Sequence, residues 1–182
     1  MLKLHLTRAT HDNGLFSALE AEWAAQLRAY EIEYGEYDSP HMDHARKIVA
    51  ENPPDRRYGI FVLRDDDAEP GAEFKGMVHI NHAFPGTVHA TLRMVWILLA
   101  PHFDFSDVDP DEIGEVAAGF LYGAVDLCQT EMKAGALKMH LGNMVDRQFA
   151  LGLALGLRHR AGSLNAAVRG NWLHLDNLFE GR

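Results

Sequence analysis

TVHATLRMVWILLAPHFDFSDVDPDEIGEVAAGFLYGAVDLCQTEMKAGALKMHL, Thr87 to Leu141, is the stretch whose reading decides the fold. It opens with a run of β-formers to Leu99, which Pro101 stops. Asp109-Pro110-Asp111-Glu112 has the form of a helix start, with Asp109 as N-cap and Pro110 in the first turn. Ile113, Val116, Ala117, Phe120, Leu121, Ala124 and Leu127 then recur at three- and four-residue steps, one apolar stripe of a helix. Gly135 reads as its stop, and Ala136–Leu141 as the next strand. A strand–helix–strand unit of this length implies a right-handed parallel crossover.

Working towards the N-terminus, Pro85-Gly86 is a turn and Phe74–Phe84 a strand before it. The polar stretch DDDAEPGAE separates that strand from another, Tyr58–Leu63. Such short connections favour antiparallel neighbours, so the three strands form a meander. His41–Ala50 reads as a helix ended by Asn52-Pro53-Pro54. Asn13–Tyr30 reads as a longer one, with Leu15, Leu19, Trp23 and Leu27 on one stripe, and Leu2–Thr7 alternates as a half-buried strand. Beyond the crossover, Met144–Leu155 has a helical pattern with Gly156 as C-cap, and Asn171–Leu175 is a last strand. The order is β-α-(α)-β-β-β-α-β-α-β: an α/β (α+β mixed) chain with a twisted mixed sheet, an antiparallel meander feeding a parallel β-α-β crossover, and flanking helices.

The 182 residues suit one domain, 1–182, without a disulfide or metal staple. Cys128 is the only cysteine, so no intramolecular disulfide forms. The N-terminus has no apolar run of the secretory type and nowhere do 18 apolar residues stand together, which implies a cytoplasmic protein with no membrane partner. Twenty-six acids against 17 Lys and Arg give a formal charge of −9. That balance disfavours nucleic acid and anionic surfaces and points to a small ligand or a protein.

VWILLAP (Val95–Pro101) and ALKMHLGN followed by LGLALGLRHR carry a resemblance. With the element order, they are similar to the fourth strand, the fifth strand with its asparagine, and the following helix and Leu-Gly turn of the GNAT (GCN5-related N-acetyltransferase) superfamily. The resemblance covers nearly the whole chain. It implies an acyltransferase that moves an acyl group, in the first instance acetyl, from acetyl-CoA or another acyl-CoA to an amine of a small molecule or a protein; a homodimer is compatible with it. The acyl-CoA would lie where the fourth and fifth strands splay, with the backbone of Ile97, Leu98 and Leu99 bonding the pantetheine arm. Gly114 would stand at the pyrophosphate, on the next helix N-terminus, where free N–H groups attract anions. Asn143 matches the family's asparagine.

Two positions depart from that pattern. HFDFSDVDPDEIGE (102–115) lacks the Gln/Arg-x-x-Gly-x-Gly/Ala signature, and Asp104, Asp107, Asp109, Asp111, Glu112 and Glu115 put six acids there without a Lys or Arg. Each acid stabilises a helix N-terminus by up to ~1 kcal/mol but opposes a pyrophosphate. The plainer reading is a well-capped solvated helix end; the resemblance offers an anion cradle instead. The family's thiolate-protonating tyrosine would fall at Gly152, which has no hydroxyl, and neither Phe149 nor Tyr122 takes its place. The alternative is therefore a non-catalytic GNAT-like module that binds a ligand or protein without CoA chemistry.

Strand alternation puts Met77, His79 and Asn81 on one face, and His89, Thr91 and Arg93 on one face of the next strand. His79 and His89 are the candidates for a catalytic base towards an amine, since neutral imidazole suits that task; an exposed polar sheet face is the plainer alternative. The chain has 11 histidines, and His41-x-x-His44 and His79-x-x-His82 raise a metal reading. On a strand, however, His79 and His82 point apart, and no cysteine cluster or His-Glu-x-x-His pattern supports zinc, so no metal is expected. Glu31, Glu33 and Glu36 with Tyr30, Tyr34 and Tyr37 lie where the resemblance places acceptor-binding loops; a solvated charge run is the plainer reading. No Gly-x-Ser-x-Gly elbow, Walker or dinucleotide fingerprint occurs.

Overall fold

Leu4 and Leu6 alternate with polar neighbours, and the strand they make, β1 (Leu4–Ala9), pairs antiparallel with β2 (Tyr58–Asp65) from Leu4↔Asp65 to Ala9↔Ile60. The computed structural model describes residues 3–37, 39–142, 147, 150, 151, 154 and 165–179. Between these strands lie α1 (Leu15–Ala29), α2 (Tyr34–Tyr37) and α3 (Pro40–Val49). After β2 come β3 (Phe74–Ala83), β4 (Thr91–Leu99), α4 (His102–Phe105), α5 (Pro110–Gln129), β5 (Ala136–His140), β6 (Asn165–Arg169) and β7 (Trp172–Asp176). The strands make one seven-stranded mixed sheet in the order β1-β2-β3-β4-β5-β7-β6. Its one parallel pair is β4 with β5, the meander-plus-crossover arrangement expected of the sequence.

Three elements were not legible. α2 and α4 are single turns, and β6 opens on Asn165, Ala166 and Ala167, which give little strand signal. The third meander strand is also shorter than expected, starting at Thr91 rather than Thr87. Phe84 and Gly86 adopt positive φ (54° and 75°), and the turn is closed by Thr87 N–H on the Phe84 carbonyl (3.3 Å) and Ala90 N–H on that of Thr87 (3.1 Å). α5 stops at Gln129, ahead of Gly135. The helix expected over Met144–Leu155, its cap Gly156, and Asn143, Phe149 and Gly152 lie outside the described residues, apart from the helical Arg147, Ala150, Leu151 and Ala154.

The contacts fall into two compact units, Met1–His79 with Ile97–Gly123, and Ile80–Trp96 with Ala124–Arg182. In the first, the α1 stripe of Leu19, Trp23 and Leu27 is fully buried, with Met42 of α3 and Ile60, Phe61 and Leu63 of β2. Each such side chain contributes roughly 1.5–3 kcal/mol of burial. α5 lies close on β1 because Gly119 and Gly123 leave room: a Cβ there would come within 2.6 Å of Leu4 and 2.4 Å of Leu6.

In the second unit β4 and β5 are registered from Thr91↔Ala136 to Met94↔Met139. β7 pairs antiparallel with both β5 and β6. Leu92, Met94, Leu137, Leu173 and Leu175 form the core of this sheet. Gly135 N–H bonds the Ala90 carbonyl at 3.1 Å, which fixes the start of the parallel pair. Cys128 is buried and its thiol is pushed up to about 12, so it stays protonated and unreactive. No described helix is long and apolar enough to cross a membrane.

Candidate functional site

The last registered β4–β5 pair is Met94↔Met139, yet β4 runs on to Leu99. On its β3 side this extension is held tightly. Ala100 N–H bonds the Lys75 carbonyl at 3.1 Å, and Gly76 lies so close that a Cβ there would be 2.7 Å from the Leu98 carbonyl oxygen and 2.9 Å from the Phe120 ring. Backbone groups alternate sides along a strand, so with Ala100 and Leu98 turned to β3, those of Ile97 and Leu99 turn to the opposite edge. Of the three strand residues singled out in the sequence, Ile97 and Leu99 therefore present N–H and C=O outward, and Leu98 faces inward.

Tyr37, at the end of α2, stands at that outward edge: its hydroxyl lies 3.2 Å from the Leu99 carbonyl and 3.4 Å from Asp104 Oδ2. Burial, then the Asp104 charge, raises its pKa well above the ordinary phenol value, so the hydroxyl remains a donor. The ring is seated edge-on to the buried Trp23, centres 6.4 Å apart. α1 also fixes the neighbouring segments: Glu22 accepts from Glu73 and Phe74 N–H at 3.0 Å each, and Gln26 accepts from His102 N–H at 3.3 Å.

α4 and the start of α5 are bound up in their own polar contacts. Asp109 caps α5 by accepting from Asp111 N–H at 2.9 Å, as its place before Pro110 implied. Ser106 bonds His102 through both its ring nitrogen (2.9 Å) and its carbonyl (2.6 Å). Glu112 lies 3.5 Å from Lys75 Nζ and 3.8 Å from His102 Nε2. Lys75, whose side chain is only 10% exposed, is thus a cation that the 102–115 stretch lacks in sequence but receives from β3. Gly114 meets no protein atom within 4 Å of a would-be Cβ, so packing does not require a glycine there. The concavity beside α4 and α5 (≈ 630 Å³) is lined by Phe103, Ser106, Val108, Pro110 and Ile113, with Asp107 and Asp109.

These residues fit an acyl-CoA unevenly. The outward backbone of Ile97 and Leu99 suits the amides of a pantetheine arm, and Gly114 leaves its helix turn open. The carboxylates around the α5 start do not suit a diphosphate, and Lys75 is the cation that stands beside them.

The two catalytic candidates occupy different units and different settings. His79 lies half-buried on β3, edge-on to His44 of α3 (ring centres 5.1 Å) and perpendicular to Tyr58 of β2 (6.5 Å), whose hydroxyl donates to Glu51 at 2.8 Å. Burial, then the neighbouring His44, lowers the His79 pKa to about 4, so it is neutral at working pH and a poor proton acceptor. His89 is not on a strand face; it lies exposed in the turn before β4, its N–H on Thr87 Oγ1 at 3.2 Å. The two His-x-x-His pairs are joined crosswise by His44 and His79, and among the described residues no three His, Cys, Asp or Glu side chains gather to hold a metal ion. Sequence reading missed Gly76, Lys75 and the Tyr37 contact; only Gly76, a glycine inside a strand, carried a local signal of close approach.

No protein-family model matches the sequence, and no curated protein matches it as a relative. Solved structures are similar over most of their length. A proposed GNAT-family acetyltransferase from Desulfovibrio desulfuricans shares 15% identity, with 94% of this chain and 95% of that one covered at a TM-score of 0.44. AtaTR bound with AcCoA shares 12%, with 96% and 93% covered at 0.49. The KacTA–DNA complex shares 11%, with 96% and 94% covered at 0.46. The chain is a mixed α/β fold, an antiparallel meander feeding a β4–α5–β5 crossover with four registered parallel pairs and a β4 that runs on to Leu99, which is the arrangement the GNAT resemblance implies.

Proposed function

We propose that the protein is an acyl-CoA-dependent N-acyltransferase whose donor lies along the outward edge of β4 at Ile97–Leu99. The observation that supports this reading is the run of β4 past Met94, its last registered pair with β5 among the described residues, which leaves the N–H and C=O of Ile97 and Leu99 on the outer edge. The pantetheine arm would add to that edge as a short strand. A bound neutral amine would attack the thioester carbonyl directly; positioning and a backbone N–H aimed at the developing oxyanion supply the rate. His79, neutral and enclosed, would orient groups rather than take the amine's proton, and Gly114 would let a phosphate approach the first turns of α5.

A second reading, a ligand- or protein-binding module without CoA chemistry, is favoured by the carboxylates around the α5 start. Isothermal titration with acetyl-CoA, followed by thiol release in the presence of amines, separates the two. Saturable binding with amine-dependent release supports transfer. Saturable binding without release supports the module, and no heat at high micromolar acetyl-CoA removes the acyl-CoA reading altogether.

A further inference from the structure

We propose that the polar face of the β4–β5–β7–β6 half of the sheet docks an acidic segment of a partner protein on Arg93, Lys138 and Arg169. Residues paired across neighbouring strands share a face. Arg93 stands opposite Lys138, Lys138 opposite His174, and His174 opposite Ala167, so one row crosses all four strands. Arg169 and His140, both opposite Trp172, lie on the same face one alternation along β7. The other face carries Leu92, Met94, Leu137, Leu173 and Leu175, all buried, so hydrophobic burial fixes which side is polar. Arg93, Lys138 and His174 are half-buried, and Arg169 and His140 are exposed.

The row works against the fold. Like charges directly opposite on a sheet destabilise it, and neither Arg93 nor Lys138 has a carboxylate partner among the described residues. Asp176 is the only acid in the four strands, and it lies 3.8 Å from Arg169. Burial, then Lys138 and Arg169, lowers the pKa of His174, so its ring is neutral at pH 7 and adds a hydrogen-bonding group without charge. Three cations against one acid thus gather on one face of a chain whose net charge is −9.

The form of the partner follows from spacing. Neighbouring strands lie about 4.8 Å apart, so the cations are spread over about 14 Å from β4 to β6. A lone phosphate or carboxylate would meet two of them at most. Alternate side chains of an extended segment fall on one side about every 6.7 Å, so carboxylates at such positions meet all three. A nucleic acid continues its charge far beyond this face and would meet the chain's 26 acids; a short acidic segment ends with the face. Complementary charge of this kind sets partner choice and encounter rate more than raw affinity.

This surface does not depend on acyl transfer, so the test is run on the full chain without acetyl-CoA. Fluorescence anisotropy follows a labelled peptide of alternating Glu and Ser, with a peptide of alternating Gln and Ser as the neutral comparison. The Glu peptide should bind, less tightly as salt rises; the Gln peptide should not. Arg93→Gln combined with Lys138→Gln should weaken binding about ten-fold, and Lys138→Arg should keep it. Lys47→Gln, which removes the same charge from an exposed position on α3, should leave it unchanged. Lys138→Gln alone should hold or raise Tm, since it relieves the charge opposite Arg93. Equal binding of the Gln peptide, an unaffected double variant, an equal loss in Lys47→Gln, or a lowered Tm in Lys138→Gln would overturn the proposal. An oligothymidylate of equal charge bound more tightly than the Glu peptide would overturn it in favour of a nucleic acid.

Discussion

The hydroxyl of Tyr37 stands 3.2 Å from the carbonyl oxygen of Leu99, tying the end of α2 to the end of β4. Because the phenol is held protonated by burial and by Asp104, this bond persists throughout the working pH range. Tyr37→Phe removes the donor and leaves a carbonyl to find water, a loss of about 1 kcal/mol. The urea midpoint should fall accordingly with an unchanged slope; an unchanged midpoint would mean the contact contributes nothing.

Two glycines of α5 should respond oppositely to alanine. At Gly123 a Cβ would sit 2.4 Å from the Leu6 Cβ, the root of that side chain rather than its mobile tip. Overpacking of roughly 1–3 kcal/mol outweighs the helix-propensity gain of about 1 kcal/mol, so Gly123→Ala should lower Tm. Gly114→Ala meets nothing within 4 Å and should raise Tm. If Gly114 is there for phosphate approach, the same variant should bind acetyl-CoA more weakly; unchanged affinity would remove Gly114 from the site.

Glu112 lies against Lys75 and His102 at the start of α5. Glu112→Gln deletes one negative charge where a diphosphate would dock and releases Lys75 towards it. Acetyl-CoA affinity should rise several-fold and become more sensitive to salt, on the order of one charge–charge contact in partly screened surroundings. A weaker affinity would place the diphosphate elsewhere.

Burial lowers the pKa of His79 to about 4, from an ordinary 6.5, and lowers His82 and His174 as well. Each therefore holds its proton less readily folded than unfolded. Between the two values the unfolded chain binds more protons, so stability rises with pH. This contribution is complete above 6.5 and is lost as the pH falls towards 4. Thermal melts from pH 7 to pH 5 should show a falling Tm, and His79→Gln should flatten the slope; a Tm independent of pH over that range would contradict the burial of these rings.

The crossover was legible because its parts are strongly marked: the β-formers before Pro101, the Asp109-Pro110 start and the apolar stripe to Leu127 each specify one element. β6 was not, since Ala166 and Ala167 carry no preference that survives without the pairing to β7. His89 was misplaced on a strand because the turn at Phe84 needs a positive φ from a phenylalanine, which no local pattern announces. At the candidate site the sequence pointed to Ile97–Leu99, but which of the three turn outward follows only from the pairing with β3. Lys75 and Glu112 lie far apart in the chain, so the cation at the acidic loop was invisible until the fold joined them. Gly152 and Asn143, on which the family's acid and asparagine would turn, lie outside the described residues.

The central claim is that an acyl-CoA adds to the outward edge of β4. Amide hydrogen exchange, read residue by residue with and without saturating acetyl-CoA, tests it most directly. Added protection is expected at the Ile97 and Leu99 amides, with little change at Leu98, which already faces β3. Binding of acetyl-CoA with no change at Ile97 and Leu99, or protection centred on another strand, would contradict it.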